Sequence, residues 1–383
     1  MNTGKKKELE NIFNKIQKKN NEIEILDNIG DGAYGLVKKL KIKGKIYAGK
    51  LVYREKRGIN EADKIIEFKG PNIVKVNKIY QEKIDNKDYD LIIMEKSNLR
   101  DLRNYCQNNI FKSNLNLIYM SPTENAIGDN LLRFFANQLV KSLETLDRND
   151  YTHYDIKPNN ILIFENMILK LSDFGLLRNP DDIKKDQKEF RIPGGTPGYI
   201  SPEFYENRFV LKENLKKQDY FALGSTLFYI KYGEQMLNYN EYNDGLMTSD
   251  YLKDLIQKAI DHIKSGTTDS IDFIDFLCNL INYKPEERYN FEEIYRNKWI
   301  NKNTEEIKEI LDINHLDDEK LLIELNKSDY LIDKKNYLEN LDKINDNDND
   351  NKIIENAHNI NKKNEFIYHK NKFTFKRNKK INK

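Results

Sequence analysis

The sequence has very few cysteines and no long apolar segment. Cys106 and Cys278 are its only two cysteines, too few for a disulfide framework and typical of a reducing compartment. Neither has a histidine or a basic cluster beside it, so both are expected to be inert packing residues. No apolar run approaches the roughly 18 residues that a membrane-spanning helix needs. The charged N-terminal segment has no apolar core either, so neither a membrane span nor secretion is expected.

The chain also lacks an excess of either charge. It has 64 Lys+Arg and 62 Asp+Glu residues, a formal net charge of +2. This balance gives the whole molecule no field that demands nucleic acid or a membrane surface, and no DNA partner is expected. The length of 383 residues suffices for one large two-lobed domain or two ordinary ones.

Hydrophobic patterning divides the chain into regions of different character. Residues 1–23 form a charged leader, either a short helix or a frayed segment. Residues 24–51 alternate with period two across glycine-bearing turns, which predicts strands, and residues 72–83 and 89–96 return to strand character after one helix at 60–70. Residues 96–300 are mostly helical in spacing, so we expect an α+β fold of two unequal lobes. The helices predicted in this part span residues 131–146, 218–232, 251–263 and 271–281.

Residues 301–383 are expected to be a charged, low-complexity tail with weak helices, mostly disordered. The run DNDNDNKIIE fails as a calcium loop, because its sixth and twelfth positions are Asn351 and Ala357. The basic end, with interleaved aromatic residues, could contact RNA, acidic lipid or a partner, although a solvated end is favoured. KRNKK could serve nuclear import, and the weak helices could fold back and regulate the rest.

Two motifs near the start of the chain suggest phosphate binding. Gly30-Asp31-Gly32-Ala33-Tyr34-Gly35 lies between predicted strands, where glycines let main-chain N–H groups approach a polyphosphate. Alone it is a weak signal, and a plain hairpin is an equally good alternative. The motif IYAGK ends the next strand at Lys50, whose ammonium could reach phosphates if Glu61 fixed it. A solvated surface Lys and Glu are the alternative.

Two further motifs supply groups for acid–base chemistry and cation binding. YTHYDIKPNNILIF holds Asp155, which could accept a proton from an attacking hydroxyl, and Lys157, which could neutralise a phosphoryl group. Asn160 of the same motif could ligate a cation. Asp173-Phe174-Gly175 follows a predicted strand and offers a carboxylate to the same cation, although alone it would be an ordinary turn.

In this order and spacing, the four motifs resemble the eukaryotic protein kinase family. The resemblance covers residues 24–300 and continues through GTPGYISPE, DYFALG, KPEERY and NKWI. It implies the two-lobed protein kinase fold, with a small β-rich N-lobe at residues 24–95 and a larger helical C-lobe at residues 96–300.

The resemblance implies a role for each matching residue. Asp155 would be the catalytic base and Lys157 the partner of the γ-phosphate, while Asn160 and Asp173 would hold magnesium. The residues implied in ATP binding are Gly30, Gly32, Gly35, Val37, Ala48, Lys50, Glu61, Met94, Glu95, Ser97 and Leu162. Those at 37, 48 and 162 would sandwich the adenine, and the main chain at 95 and 97 would hydrogen-bond its edge.

Other matching positions are implied to have structural roles. Glu203 would pair with Arg288, and Asp219 would anchor an apolar spine that joins the lobes. The residues of that spine would be Ile65, Val76, His153 and Phe174.

Lys157 together with Thr196, in the substrate platform GTPGY, resembles the serine/threonine-specific branch. The implied activity is phosphorylation of Ser/Thr hydroxyls of proteins, with ATP and Mg²⁺ as cofactors and Mn²⁺ as an alternative metal. Protein substrates are the expected partners of a monomer, and the tail is the candidate segment for an unknown partner. The expected location is the cytoplasm, with the nucleus as the alternative.

Tyr154 departs from the family pattern. An arginine usually precedes the catalytic aspartate and binds a phosphate on the activation segment, which a tyrosine cannot do. Between Gly175 and Thr196 the chain has no Ser, Thr or Tyr. Because the phosphate-binding arginine and the phosphorylatable residues are absent together, we expect the activation segment to be ordered without phosphorylation.

Two alternatives from other classes are disfavoured. A kinase-shaped pseudokinase or scaffold acting through its tail would typically lack one or more of the five phosphate, metal and base residues, all of which are present. A small-molecule phosphotransferase of similar fold is disfavoured by GTPGYISPE, which forms the peptide platform in protein kinases.

A preference for arginine upstream of the acceptor is disfavoured too, because Asn159 and Tyr229 stand where basic-directed kinases carry glutamates.

Overall fold

The computed structural model describes residues 3–31, 35–54, 61–66, 69–70, 72–110, 129–179, 189–191, 193–207, 209–237, 249–265 and 271–301. Within these ranges a strand-rich lobe is followed by a helical lobe, which confirms the predicted two-lobed α+β fold. The predicted disorder and helices of the tail after Asn301 lie outside the described residues. No helix in the described part of the chain is long and apolar enough to cross a bilayer.

The helices and strands follow one another in chain order. They are α1 (Thr3–Lys19), β1 (Ile23–Asp31), β2 (Gly35–Ile42), β3 (Lys45–Tyr53), α2 (Glu61–Ile65), β4 (Val76–Ile84), β5 (Lys87–Met94), α3 (Leu102–Tyr105), α4 (Asp129–Arg148), β6 (Ile161–Phe164), β7 (Ile168–Leu171), β8 (Glu189–Arg191), α5 (Pro202–Asn207), β9 (Phe209–Leu211), α6 (Lys217–Tyr232), α7 (Ser249–Ser265), α8 (Ile271–Leu280) and α9 (Phe291–Arg296).

The N-lobe is built on a five-stranded antiparallel sheet in the order β1-β2-β3-β5-β4. The turn between β2 and β3 is made by Lys43 and Gly44, both at positive φ (49° and 80°), the conformation of a tight hairpin turn. Pairing of β3 with β5 sets Ala48 opposite Met94 and Lys50 opposite Ile92. This register brings the nucleotide-binding candidates of both strands to the same part of the sheet.

Helix α1 covers the outer face of this sheet. Its buried residues, Leu9, Ile12, Phe13 and Ile16, recur at helical spacing. They form one apolar cluster with side chains of β2, β3 and β5. Gly49 keeps this layer thin, since a Cβ there would lie 2.2 Å from Cδ1 of Leu40. Of the two forms expected for the leader, the chain adopts the helix, and the helix is packed onto the lobe.

The C-lobe surrounds the central helix α6, whose residues from Gln218 to Lys231 are all buried. Helices α4 and α8 pack against it. Gly224 permits the close approach of α8, because a Cβ there would meet Cγ2 of Ile281 at 2.6 Å. Trp299 is fully buried beside Phe273 and Phe276 of α8. The predicted helices of this lobe are present, each with ends within a few residues of the expected ones.

Candidate active site

Three titratable side chains meet between the lobes. Nζ of Lys50 on β3 lies 2.6 Å from Glu61 Oε1 on α2 and 2.8 Å from Asp173 Oδ1 after β7. Burial by itself lowers the pKa of Lys50, but the carboxylates of Asp173 and Glu61 raise it above its ordinary value. Burial raises the pKa of Glu61, whereas Lys50 holds the pKa of Asp173 below its usual range. Lys50 and Glu61 therefore form a buried ion pair, not the solvated surface pair that was the alternative from the sequence.

The catalytic-loop candidates form a closed triangle. Thr196 Oγ1 donates to Asp155 Oδ1 at 2.6 Å, and Nζ of Lys157 donates to Asp155 Oδ2 at 2.7 Å and to Thr196 Oγ1. Asn160 Nδ2 also donates to Asp155 Oδ2, at 2.8 Å. These bonds fix the carboxylate in one orientation and tie the loop to the segment that carries Thr196.

The loop itself is held from α6. The carboxylate of Asp219 accepts main-chain N–H groups of His153 at 2.6 Å and Tyr154 at 2.9 Å. Burial raises the pKa of Asp219 to about 7 against the effect of these two donors. The bonds hold Tyr154 at φ 65°, a left-handed conformation that a non-glycine residue adopts only where its surroundings fix it.

Asn160 and Asp173, the cation ligands expected from the sequence, lie on segments that are hydrogen-bonded to each other. The main-chain N–H of Ser172 donates to the carbonyl of Asn160 at 2.8 Å, which sets Asp173 beside the loop. An amide and a carboxylate supply the hard oxygen ligands that Mg²⁺ prefers. Among the described ranges there is no cluster of three or more His, Cys, Asp or Glu that could hold a metal.

The expected adenine-binding side chains form one apolar cluster. Val37, Ala48 and Leu162 pack in it with Met94 and Phe164. β5 ends at Met94, and the main-chain groups expected to contact the adenine edge, at 95 and 97, lie in the segment that follows it. Gly30 pairs with Val37.

Gly35 of the glycine motif lies close to the main chain of β3. A Cβ at this position would meet the carbonyl oxygen of Leu51 at 2.6 Å. Gly32 lies outside the described residues.

The structural pairs expected from the sequence are in contact. Arg288 Nη1 and Nη2 bind Glu203 Oε1 and Oε2 at 2.8 and 3.1 Å. The His153 and Phe174 rings lie 5.1 Å apart, edge to face. Ile65, Val76 and Phe174 belong to one apolar cluster.

Tyr154 lies in an apolar environment. It is 2% exposed and packs with Leu176, Phe204 and Leu215. Its ring meets that of Phe204 edge to face at 6.1 Å. A small hydrophobic core therefore surrounds the position at which the family pattern has a phosphate-binding arginine.

Sequence reasoning missed two lysines at the site. Lys170 on β7 binds both carboxylate oxygens of Glu95 at 2.8 Å, which ties the segment after β5 to the C-lobe. Lys64 on α2 is buried and donates to the main-chain carbonyl of Leu177. Neither lysine belongs to a motif. The three-residue spacing puts Lys64 on the same helix face as Glu61, but in a chain with 64 lysines and arginines this spacing does not single Lys64 out.

Comparison with known proteins agrees with this geometry. Residues 23–300 match the family model described as Protein kinase domain. CBL-interacting serine/threonine-protein kinase 12 of Arabidopsis thaliana is 28% identical over 191 residues, 50% of this chain and 36% of that protein. Human NUAK family SNF1-like kinase 1 is 23% identical over 290 residues, 73% of this chain and 38% of that protein. 3-phosphoinositide-dependent protein kinase B of Dictyostelium discoideum is 28% identical over 244 residues, 60% of this chain and 24% of that protein.

The fold and the site thus define a protein kinase domain, and this chain belongs to the protein kinase family. The resemblance inferred from the motifs is confirmed. The match spans less than half the length of each of these relatives.

Proposed function

We propose that this chain is a protein serine/threonine kinase that transfers the γ-phosphoryl group of ATP to Ser and Thr hydroxyls of proteins. The observation that carries this proposal is the triangle of Asp155, Lys157 and Thr196 beside the Lys50–Glu61–Asp173 cluster. One group of residues can position a base and the other can hold phosphates, as phosphoryl transfer requires.

In this mechanism the substrate hydroxyl oxygen bonds to the γ-phosphorus as the bond from phosphorus to the β–γ bridging oxygen breaks. The electron pair of that bond goes to the leaving ADP. Asp155 takes the hydroxyl proton on its carboxylate, which its bonds to Thr196 and Asn160 hold ready. Lys157 contributes positive charge where the transferring group becomes more negative.

The residues present fit a magnesium–nucleotide complex. Bound Mg²⁺, or Mn²⁺ in its place, would neutralise charge on the phosphate oxygens. Asn160 and Asp173 would hold the metal, and Lys50, fixed by Glu61, would hold phosphate oxygens. The apolar cluster around Ala48 and Leu162 would receive the adenine.

Two features bear on the substrate: one supports a serine/threonine acceptor, and the other disfavours an arginine upstream of that acceptor. Lys157 and Thr196 bond to each other and to the catalytic carboxylate, the combination that resembles the serine/threonine-specific branch. Tyr229, where basic-directed kinases carry a glutamate, lies beneath the guanidinium of Arg103, 5.7 Å from its ring centre. This cation disfavours an arginine in that part of the substrate.

The activation segment is proposed to need no phosphate. Its residues between Gly175 and Thr196 include no phosphorylatable hydroxyl. Tyr154 occupies the position of the phosphate-binding arginine and packs there in an apolar core.

The test is transfer of labelled γ-phosphate from Mg-ATP to generic protein substrates by phosphatase-treated, bacterially expressed protein. We expect phosphoserine or phosphothreonine, and a loss of about a hundredfold or more in Asp155→Asn. Asp27→Asn, on the exposed β1 strand, is the control and should match the wild type.

Three other results would contradict parts of the proposal. Phosphotyrosine as the main product would overturn the acceptor class. A requirement for phosphate on the activation segment would overturn phosphate-independent activity. No transfer by wild type or variant would favour a scaffold, or an enzyme that waits for an activator bound to its tail.

A further inference from the structure

Lys64 is a buried cation that the proposed mechanism does not use. It lies on α2 three residues after Glu61, which places both side chains on one face of the helix. Only 3% of its surface is exposed. Lysines are almost never buried to this extent without a partner, and Nζ of Lys64 donates to the main-chain carbonyl oxygen of Leu177.

Leu177 belongs to the first part of the activation segment, immediately after Asp173-Phe174-Gly175. Its N–H donates to the carbonyl of Phe174 at 3.1 Å. The next residue, Arg178, exchanges two main-chain hydrogen bonds with Thr152, at 2.9 and 3.0 Å. Thr152 directly precedes the catalytic loop, so Lys64 binds the segment where it is joined to that loop.

Helix α2 therefore contacts the activation segment at two points. Glu61 accepts a hydrogen bond from the main chain of Phe174, and Lys64 donates to Leu177 one helical turn further on. Glu61 also holds Lys50, which in turn holds Asp173. A displacement of either α2 or the segment separates Lys64 from this carbonyl.

These contacts lie beside the apolar core around Tyr154. Leu176, the neighbour of Leu177, packs against Tyr154 in that core. The segment is thus held on one side by apolar packing and on the other by the ammonium of Lys64.

We propose that Lys64 is a positioning residue that couples α2 to the activation segment and keeps Lys50, Glu61 and Asp173 in their catalytic arrangement without a phosphate. This rests on the proposed kinase activity and names its regulation: the contact does the ordering that an arginine and a phosphate do together in other members of the family. Loss of the bond shifts the population towards arrangements in which α2 and the segment move independently.

The test compares phosphatase-treated wild type with Lys64→Met, Lys64→Gln and Lys64→Arg. Lys45→Met is the matched control, since Lys45 is an exposed lysine in the same lobe. We expect both neutral variants to lose about tenfold or more in kcat/KM for protein substrate. Lys64→Arg, which keeps a charged donor on a long side chain, should recover much of the loss, and Lys45→Met should lose nothing.

Hydrogen–deuterium exchange of the nucleotide-free proteins supplies a readout that does not depend on activity. Faster exchange is expected in Lys64→Met and Lys64→Gln both at 61–66 and at 174–179, with exchange in the remote α8 unchanged. A merely structural lysine would raise exchange throughout the N-lobe or at α2 alone.

Unchanged exchange at 174–179 in both neutral variants would overturn the inference, as would full kcat/KM. Wild-type protein without any transfer activity would contradict the proposed function, while the exchange comparison would still decide whether Lys64 couples the two segments. If Lys64→Met unfolds, Lys64→Gln and Lys64→Arg carry the same comparison.

Discussion

At the scale of single residues, Tyr154 shows how a position changes character together with its surroundings. Leu176, Phe204 and Leu215 enclose its ring, and the charges of Asp219 and Arg178 both act on its hydroxyl. An arginine placed there would bury its charge in a mostly apolar site beside the like charge of Arg178, and the nearby carboxylate of Asp219 is already bonded to two main-chain N–H groups. Charge burial of this kind is costly unless a carboxylate compensates it.

Tyr154→Arg is therefore expected to lower the free energy of unfolding by about 3 kcal/mol. It should not create a dependence on phosphate. Tyr154→Phe, which removes only the hydroxyl, should cost about 1 kcal/mol. Urea titration measures both, and a Tyr154→Arg protein as stable as the wild type would refute the apolar description of this site.

His153 is expected to make stability depend on pH. Its Nδ1 accepts from the N–H of Asp155 at 3.2 Å and its Nε2 donates to the carbonyl of Ser172 at 3.1 Å, a pattern that needs the neutral ring. Burial lowers the pKa of His153. Below the ordinary value of about 6.5 the unfolded chain gains a proton that the folded chain does not. His153 thus favours the folded state above that pH and loses this contribution as the pH falls.

Asp219 acts in the opposite direction within the same range. Its folded pKa of about 7 exceeds the ordinary value, so its contribution to stability is lost as the pH rises towards 7. Comparing wild type with His153→Phe isolates the histidine. The variant should lose less unfolding free energy between pH 7 and pH 5, by up to about 1.4 kcal/mol per pH unit. Parallel curves for the two proteins would contradict the neutral histidine.

At the scale of elements, α1 stabilises the N-lobe sheet through one apolar stripe. Phe13 is fully buried at its centre. Phe13→Ala should lower the free energy of unfolding by about 3–5 kcal/mol, measured by chemical denaturation. Asn14→Ala, on the exposed side of the same helix, should change it by less than about 0.5 kcal/mol. Equal effects of the two substitutions would mean that α1 does not pack on the sheet in solution.

Elements with strong local patterns were predictable from the sequence, and those fixed by distant contacts were not. Alternation of apolar residues around Gly44 predicted β2 and β3, and motif order predicted that Lys50 and Glu61 would pair, whereas the bond from Lys50 to Asp173 was not predicted. The packing of α1 could not be predicted in the same way. Its apolar stripe predicts a buried face, but the sequence does not show that the face packs against β2, β3 and β5. Lys64 was missed because its partner carbonyl lies 113 residues away and main-chain groups leave no mark on the sequence.

At the scale of the whole molecule, the expected nucleotide site draws on both lobes. Lys50 and Ala48 come from the N-lobe, while Asn160, Leu162 and Asp173 come from the C-lobe. A ligand that contacts both lobes stabilises the folded molecule according to its concentration and dissociation constant.

A non-hydrolysable ATP analogue with Mg²⁺ should therefore raise the melting temperature. At about 100 times its Kd the stabilisation should be about 2.7 kcal/mol. Chelation of Mg²⁺ should remove most of the rise in the wild type and in Asp27→Asn. Asp173→Asn should show little metal-dependent rise at all, and a full response in that variant would exclude Asp173 as a metal ligand.

The position of α1 has a practical consequence for what can be cut from the chain. The family match begins at Ile23, after the last residue of the helix. A protein trimmed to that match would lose the apolar stripe of α1 from the cluster that also contains Leu36, Leu40 and Leu91, and newly exposed apolar surface favours self-association. The part of the chain that matches the family model is therefore smaller than the part that we expect must be expressed together to limit self-association.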